Sequence, residues 1–182
     1  MTDPSHSQRP SHSHRIVTRS GCLFFVRPVL PTDEPALAEF FAHVAPEDLR
    51  FRFLTGLKTV GAERLAALTH VDHRQTENFI AFVDHESEII ASAMLACDAD
   101  LKRGEVAISV RSDFRHDGVG WEMLEHVARH AEAMGVETLE SIESRDNHAA
   151  IDLERDMGFT ARAYPGDASL MLLERKLGQS AG

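Results

Sequence analysis

The chain has 182 residues, of which 43% are hydrophobic and 26% are charged, and its formal net charge is -10. This length favours one domain, because domains commonly hold about 100 to 200 residues. The negative charge argues against a nucleic-acid partner, whose phosphates must be neutralised by Lys and Arg, and favours a cationic substrate such as an amine. No apolar run approaches the roughly 20 residues that span a bilayer, so we expect no membrane partner.

The N-terminal segment is rich in Ser and His and lacks the apolar core of a secretory signal. We therefore expect a cytoplasmic protein with a disordered tail at 1–19, a folded domain at 20–178 and a disordered C-terminus at 179–182. His6, His12 and His14 could bind a metal loosely, but a polar flexible tail also explains them. Two cysteines, Cys22 and Cys97, lie in apolar strand-like segments, which indicates reduced, buried thiols.

Hydrophobic periodicity predicts the elements in chain order. A strand at 22–27 precedes three helical segments, at 32–44, 46–54 and 65–71. Three strands follow, at 78–83, 88–96 and 104–111, with a hairpin turn at 84–87. The remainder alternates: a helix reaching residue 134, a strand at 136–143, a helix at 147–157, and strands at 159–164 and 169–177. This order predicts a single α/β domain with a mixed sheet and helices on both faces.

The most informative feature is the corner between the strand at 104–111 and the long helix. Its sequence runs Arg115-His116-Asp117-Gly118-Val119-Gly120. The first amides of a helix have no partner within it and carry partial positive charge, so phosphate oxygens can bind there. The two glycines allow close backbone approach. The corner therefore predicts a pyrophosphate site, with an ordinary glycine-assisted helix start as the alternative.

Other site types fit this corner less well. In a dinucleotide-binding loop the third glycine would fall on Met123, and a nucleotide P-loop would need Gly-Lys-Ser/Thr. His126 and His130 have the i, i+4 spacing of metal ligands, but a solvated helix face explains them too. We therefore expect no metal.

With this motif and this element order, the chain resembles the GNAT acyltransferases over roughly residues 22–177. Their signature is Arg or Gln, two residues, Gly, one residue, then Gly or Ala after the fourth strand. The resemblance implies a GNAT-like domain whose mostly antiparallel sheet is splayed between strands 4 and 5. It also implies acetyl-CoA as co-substrate, with pantetheine on the fourth strand and pyrophosphate on the glycine loop. The implied cofactor-binding residues are Ile108, Ser109, Val110, Arg115, His116, Asp117, Gly118, Val119, Gly120, Trp121 and Asn147.

The resemblance also implies catalytic roles. Glu105 matches the glutamate that serves as general base in GNAT protein acetyltransferases, and the Val110 amide would polarise the thioester carbonyl. A base is needed because a lysine-like amine, with a pKa near 10.4, is roughly 99.9% protonated at pH 7. Partial burial would raise the pKa of Glu105 toward the operating pH. The alternative is a solvent-facing strand charge, and Asn147 could likewise be only a helix cap.

Two residues depart from the family pattern. Many members carry a tyrosine that protonates the leaving thiolate, but Glu154 stands at the matching position, and the only tyrosine is Tyr164. The general acid is thus expected to be missing, and a thiolate with a pKa near 8.5 can leave without one. Asp117 stands where Lys or Arg is frequent, which is unfavourable beside a pyrophosphate unless the carboxylate points outward.

A narrower resemblance concerns the acceptor. Segments 26–28, 33–34, 49–53 and 68–72 look like the catalytic domain of Pat-type bacterial protein lysine acetyltransferases, whose targets include acyl-CoA synthetases. The segment 49–53 also fits amphipathic packing. The resemblance implies a protein lysine as acceptor. A small-molecule amine, a non-catalytic acyl-CoA sensor and a homodimeric assembly stay open as alternatives.

Overall fold

The computed structural model describes residues 13–54, 59–83 and 88–178. The strands are β1 His14–Val17, β2 Leu23–Pro28, β3 Thr76–Val83, β4 Glu88–Cys97, β5 Arg103–Val110, β6 Thr138–Ser144, β7 Thr160–Ala163 and β8 Leu170–Lys176. The α-helices are α1 Glu34–Ala42, α2 Pro46–Phe53, α3 Ala62–Thr69, α4 Val119–Ala133 and α5 His148–Asp156.

The strands form one sheet of eight in the order β1-β2-β3-β4-β5-β6-β8-β7. Neighbours are antiparallel except β5 and β6, which are parallel. Their parallel ladder ends at the pair Glu105 and Glu140. Beyond it β5 stays paired with β4 as far as Val110, and β6 stays paired with β8 as far as Ser144. The sheet is therefore splayed between β5 and β6. Because β1 was not predicted, these two are the fourth and fifth strands of the sequence analysis, where the splay was expected.

Helices cover both faces of the sheet, as the alternation along β3 shows. Phe79 belongs to a hydrophobic cluster with residues of α4 and α5, whereas the next residue, Ile80, packs with α1, α2 and α3. On the first face, α4 buries Met123 and Val127. Because successive strand side chains point to opposite faces, the residues of β5 and β6 are likewise divided between a face under α4 and α5 and a face under α2.

The folded part begins earlier than residue 20. His14–Val17 form an edge strand whose Ile16 pairs with Phe24 of β2, although they fall within the segment predicted to be a disordered tail. Four residues among Ser and His give little periodicity, and the strand is specified by its antiparallel partner. Residues 1–12, with His6 and His12, and residues 179–182 lie outside the described residues, as does the predicted turn at 84–87.

Cys22 and Cys97 are free thiols in partly buried positions. Among the described residues, no helix combines the length and the apolar character required to cross a bilayer.

Candidate active site

A cavity of about 220 Å³ opens where β5 and β6 part. Residues 106–110 of β5 form one wall, and Ile142 and Glu143 of β6 with Leu153 and Glu154 of α5 form the other. Both strands are fully described, and no β6 residue pairs with β5 beyond Glu105. Since unpaired backbone amides and carbonyls seek partners, this edge of β5 can accept an extended chain carrying amide groups.

The cavity reaches the start of α4. Gly118 is the N-cap of this helix, with φ of 79°, and no side-chain hydrogen bond caps it. The first intrahelical bond runs from the Glu122 amide to the Gly118 carbonyl at 3.2 Å, so the amides of Val119, Gly120 and Trp121 precede it. A helix start of this kind binds anions through free N–H groups and the helix dipole.

Most of the sequence-predicted cofactor residues lie in the cavity wall. These are Ile108, Ser109, Val110, Arg115, Gly118, Gly120, Trp121 and Asn147. The hydroxyl of Ser109 is buried without a hydrogen-bond partner among the described residues. Asn147 caps α5, because its side chain accepts a bond from the Ala150 amide, and it also lines the cavity.

Three predicted residues, His116, Asp117 and Val119, do not line the cavity. The Val119 side chain is fully buried in the core, so only its backbone amide can reach a ligand. The carboxylate of Asp117 acts instead on Cys22, whose thiol pKa is raised first by burial and then by this charge. Asp117 therefore lies near Cys22 and outside the cavity wall.

Arg115 is not free in the wall of the cavity. Its Nη2 lies 2.7 Å from Oδ1 of Asp48 on α2. Burial raises the pKa of the Asp48 carboxyl, and the Arg115 charge opposes this shift. The pair joins the glycine corner to α2, a link that the sequence analysis missed because it arises only from packing.

Glu105 lies beside the cavity at the last pair of the parallel ladder. The residue is solvent-exposed, but the protein packed around its carboxylate, followed by the charge of Glu140, raises its pKa, and Arg52 lowers it. Its side chain shares a face with Met94, the partner of Ala107 across the β4–β5 ladder. Glu105 therefore faces α2, away from α4 and α5.

Arg52 of α2 connects the two walls of the splay. Its Nη2 lies 3.9 Å from the Met94 sulfur, and burial lowers its pKa to about 10 while the charges of Glu105 and Glu143 oppose the shift. The sequence analysis overlooked Arg52, although an arginine between two phenylalanines in an apolar stripe was a usable signal. Leu49 and Phe51 of this stripe are buried, which supports the packing interpretation of 49–53.

The histidine pair on α4 is not a solvated face. His126 and His130 are partly buried, and their rings meet Phe79 edge-on, with centroids 4.7 and 5.0 Å away. Burial lowers the pKa of His126 to about 4. Within the described part of the chain, no group of three or more His, Cys, Asp or Glu side chains is arranged to hold a metal ion.

Residues 41–159, well over half of the chain, match the model of the "Acetyltransferase (GNAT) family". The chain belongs to the GNAT acetyltransferase family. It is therefore an acyltransferase of the N-acetyltransferase type, and GNAT enzymes use acetyl-CoA as the acetyl donor. The matched region contains α2, the splayed strands, the glycine corner and α5.

Similar proteins agree with this membership. An acetyltransferase of Pseudomonas aeruginosa is 24% identical over 149 residues, covering 81% of this chain and 80% of its own. The GNAT domain of S. lividans PAT has the same fold, with a TM-score of 0.84 at 24% identity over 93% of this chain and 100% of that one. An N-acetyltransferase of Thermoplasma acidophilum in complex with coenzyme A has a TM-score of 0.68 at 16% identity, covering 84% and 98% of the two chains.

In this GNAT domain, Glu154 occupies the position at which the resemblance predicts a tyrosine. It is only 6% exposed and lines the cavity. Tyr164 follows the short strand β7 and does not line the cavity. The cavity thus has a carboxyl group in its α5 wall and no phenol.

Proposed function

We propose that the protein transfers the acetyl group of acetyl-CoA to a primary amine by direct attack in a ternary complex, with a protein lysine as the preferred acceptor. The observation that carries this proposal is the continuity between the unpaired edge of β5 and the uncapped start of α4. Together they present a strand edge for the pantetheine amides and free N–H groups for the pyrophosphate.

The residues of the cavity fit coenzyme A. The backbone of Ile108, Ser109 and Val110 would pair with pantetheine, and the Val110 amide would polarise the thioester carbonyl. A Cβ placed on Gly120 would lie 3.7 Å from the side chains of Leu153 and Val110, so the absence of a side chain leaves the free amides uncovered. A preorganised amide near the developing oxyanion stabilises the transition state, and no metal is required for this chemistry.

Glu105 is proposed as the general base. The acceptor amine must lose a proton before it has a lone pair for attack, and Glu105 lies on the α2 face at the end of the ladder, where an acceptor can approach from solvent. Its raised pKa brings it nearer to the operating pH, which favours general base catalysis.

A cationic acceptor suits the charges around this end of the splay. Glu105 lies beside the cavity with Glu140 as its partner in the parallel ladder, and the chain as a whole carries a formal net charge of -10. Such a field raises the local concentration of amines. The choice of protein lysine rests on the Pat-like segments at 26–28, 33–34 and 68–72.

The test is thiol release from acetyl-CoA with a panel of acceptors: an acyl-CoA synthetase, lysine peptides and polyamines. We expect the fastest release with the protein acceptor, and we expect Glu105→Gln to lower kcat by about 100-fold or more without changing the Kd of acetyl-CoA. Faster release with a small amine would reassign the acceptor. Tight coenzyme A binding without release above background for any acceptor would favour the sensor alternative.

A further inference from the structure

A pair of carboxyl groups is enclosed beneath α5, in the wall of the cavity that lies opposite β5. Glu143 of β6 and Glu154 of α5 are neighbours in this wall, and each carboxyl group acts on the pKa of the other. Asn147 donates to Oε2 of Glu143 at 2.8 Å, and the Ser141 hydroxyl donates to Glu154. Two buried carboxylates side by side repel each other and lack water to stabilise both charges, which favours a proton on one of them. The pair therefore holds a proton inside the cavity.

The proton belongs mainly to Glu154. Burial raises the pKa of both groups, and the charge of Glu143 raises that of Glu154 further. The interaction between the two side chains lowers the pKa of Glu143 and raises that of Glu154, so the proton is held by Glu154. Asn147, which donates to Glu143, also favours the ionised form of that residue.

The charged surroundings of the pair come from three elements. Glu143 belongs to β6, and Arg52 of α2 acts on Glu143 through its charge. Glu105 of β5, on the face that α2 covers, also acts on Arg52 through its charge. Arg52 can therefore stabilise the additional negative charge that remains on the pair when its proton leaves.

The carboxyl pair and Glu105 lie on opposite faces of the splayed strands. Ser141 pairs across β8 with the core residue Leu173, so the β6 side chains on this face point toward α4 and α5, whereas Glu105 faces α2. Leu153, next to Glu154, lies near Gly120, where an added Cβ would be 3.7 Å from its Cδ1. The pair thus lies on the cofactor side of the splay, and Glu105 lies on the other side.

The other polar groups of the cavity wall are less suited to release a proton there. Asp48 already pairs with the Arg115 guanidinium of the glycine corner, and a serine hydroxyl such as that of Ser109 is a far weaker acid than a carboxyl group. Among the described lining residues, Glu154 is the group that combines burial, a proton and a place beside the cofactor path.

We propose that Glu154 is the catalytic acid that protonates the leaving sulfur of coenzyme A. This proposal rests on the proposed function. The acceptor ammonium first loses one proton to Glu105, which passes it to solvent. The neutral amine nitrogen then bonds to the thioester carbonyl carbon, the C=O π pair moves to oxygen, and the second proton of the nitrogen goes to the regenerated Glu105 carboxylate. The oxygen lone pair then re-forms the C=O bond of the amide. As the C–S bond breaks, its electron pair stays on sulfur, and the Glu154 carboxyl proton transfers to that sulfur to give the thiol. Glu105 then releases its proton to solvent and Glu154 takes one up, so the site returns to its starting state.

The isosteric variant Glu154→Gln separates acid catalysis from structure. We expect kcat to fall by about 100-fold, since a positioned acid typically contributes a factor of 10² to 10⁴, while the KM for acetyl-CoA changes less than twofold. Wild type should also lose kcat as the pH rises through the raised pKa of Glu154, and this alkaline decline should be absent in Glu154→Gln. Glu132→Gln, at an exposed position of α4, is the matched control and should behave as wild type.

Two further variants should move the alkaline decline of kcat in opposite directions along the pH scale. Ser141→Ala removes a hydrogen bond that lowers the pKa of Glu154, so the alkaline decline should shift to higher pH. Glu143→Gln removes the charge that raises the pKa of Glu154, so the decline should shift to lower pH. These opposite shifts would not follow from a purely structural role.

The outcomes distinguish the two proposals. If wild type is active and Glu154→Gln is equally active and keeps the alkaline decline, the acid role is overturned. The proposed function then stays intact. Wild type that releases no thiol with any acceptor of the panel would overturn the proposed function, and the acid role with it. If Glu154→Gln does not fold, the alkaline decline of kcat in Ser141→Ala and Glu143→Gln is the deciding measurement. The two opposite shifts would support the acid role, and the absence of a shift in either variant would overturn it.

Discussion

Asp48 holds the guanidinium of Arg115 in the wall of the cavity, with Oδ1 2.7 Å from Nη2. The arginine of the glycine motif is therefore already paired with a carboxylate of α2. A pyrophosphate bound at the corner would compete with Asp48 for Arg115, and the Asp48 charge would repel it.

Asp48→Asn should therefore bind acetyl-CoA more tightly than wild type, by about 2- to 10-fold, because an ion pair of this exposure contributes roughly 0.2–1 kcal/mol and a repulsive charge is also removed. Calorimetric titration measures the change. Glu47→Gln is the control, since Glu47 faces Arg50 instead, at 3.8 Å. Weaker binding by Asp48→Asn would show that Asp48 orients Arg115 for the ligand.

The two glycines of the corner should respond differently to substitution. Gly120 has helical geometry, and a Cβ there would make ordinary contacts of 3.7 Å with Leu153 and Val110, so Gly120→Val should weaken acetyl-CoA binding at least tenfold with little change in Tm. Gly118 has φ of +79°, and a Cβ there would lie 3.3 Å from Thr18 Cβ. Gly118→Val should therefore lower the free energy of unfolding by about 1–2 kcal/mol. Gly61→Ala, with open space at the start of α3, is the control, and equal loss of stability in both corner variants would contradict this distinction.

The acidic limb of the pH–rate profile should report Glu105. A base acts when it is deprotonated, so kcat/KM should rise with pH through the raised pKa of Glu105. Glu140 raises that pKa, and Glu140→Gln should move the limb to lower pH. Glu137→Gln, at a nearby exposed position, should leave the limb in place. A limb unmoved by Glu140→Gln and retained in Glu105→Gln would assign the base elsewhere.

Stability should fall at alkaline pH because of Glu154. Its pKa is raised on folding, so the folded state keeps a proton that the unfolded chain releases above about pH 4.3. Stability is then greatest below that pH and is lost as the pH rises toward the folded pKa. Glu154→Gln should flatten this decline by about 1 kcal/mol or more, measured by urea denaturation at pH 5 and 8.5. A steeper decline in the variant would contradict the assignment of the proton.

His126 should affect the stability of the protein at acidic pH. Its pKa is lowered to about 4 in the folded state, whereas that of an unfolded histidine is near 6.5. Its contribution to stability is therefore present above pH 6.5 and lost as the pH falls toward 4. His126→Gln should reduce this acid sensitivity in thermal unfolding between pH 7 and 4.5, and His148→Gln, at an exposed position, should not.

Local patterns predicted most of this fold because each element carries its own period and end signals. Gly118 and Gly135, for example, bound α4 with φ of 79° and 87°. The strand β1 was missed because its four residues lie among Ser and His and depend on pairing with β2. The motif likewise predicted the glycine corner at the start of α4, although His116 and Asp117 do not line the cavity.

The rest of the site depends on distant packing. Asp48 and Arg52 reach the cavity because α2 lies across the splay, and Glu143 meets Glu154 because α5 covers β6. No local period distinguishes a buried glutamate on a strand from an exposed one. The carboxyl pair, and with it a candidate for the acid that the sequence analysis expected to be missing, therefore became visible only in three dimensions.

The central claim is that the splay between β5 and β6 holds acetyl-CoA with its pyrophosphate on the amides that follow Gly118. The most direct measurement is calorimetric titration of acetyl-CoA into wild type and Gly120→Val, with circular dichroism to verify that both are folded. The account predicts saturable one-to-one binding by wild type and at least tenfold weaker binding by the variant. Equal affinity in the two folded proteins, or no binding by wild type, would contradict it.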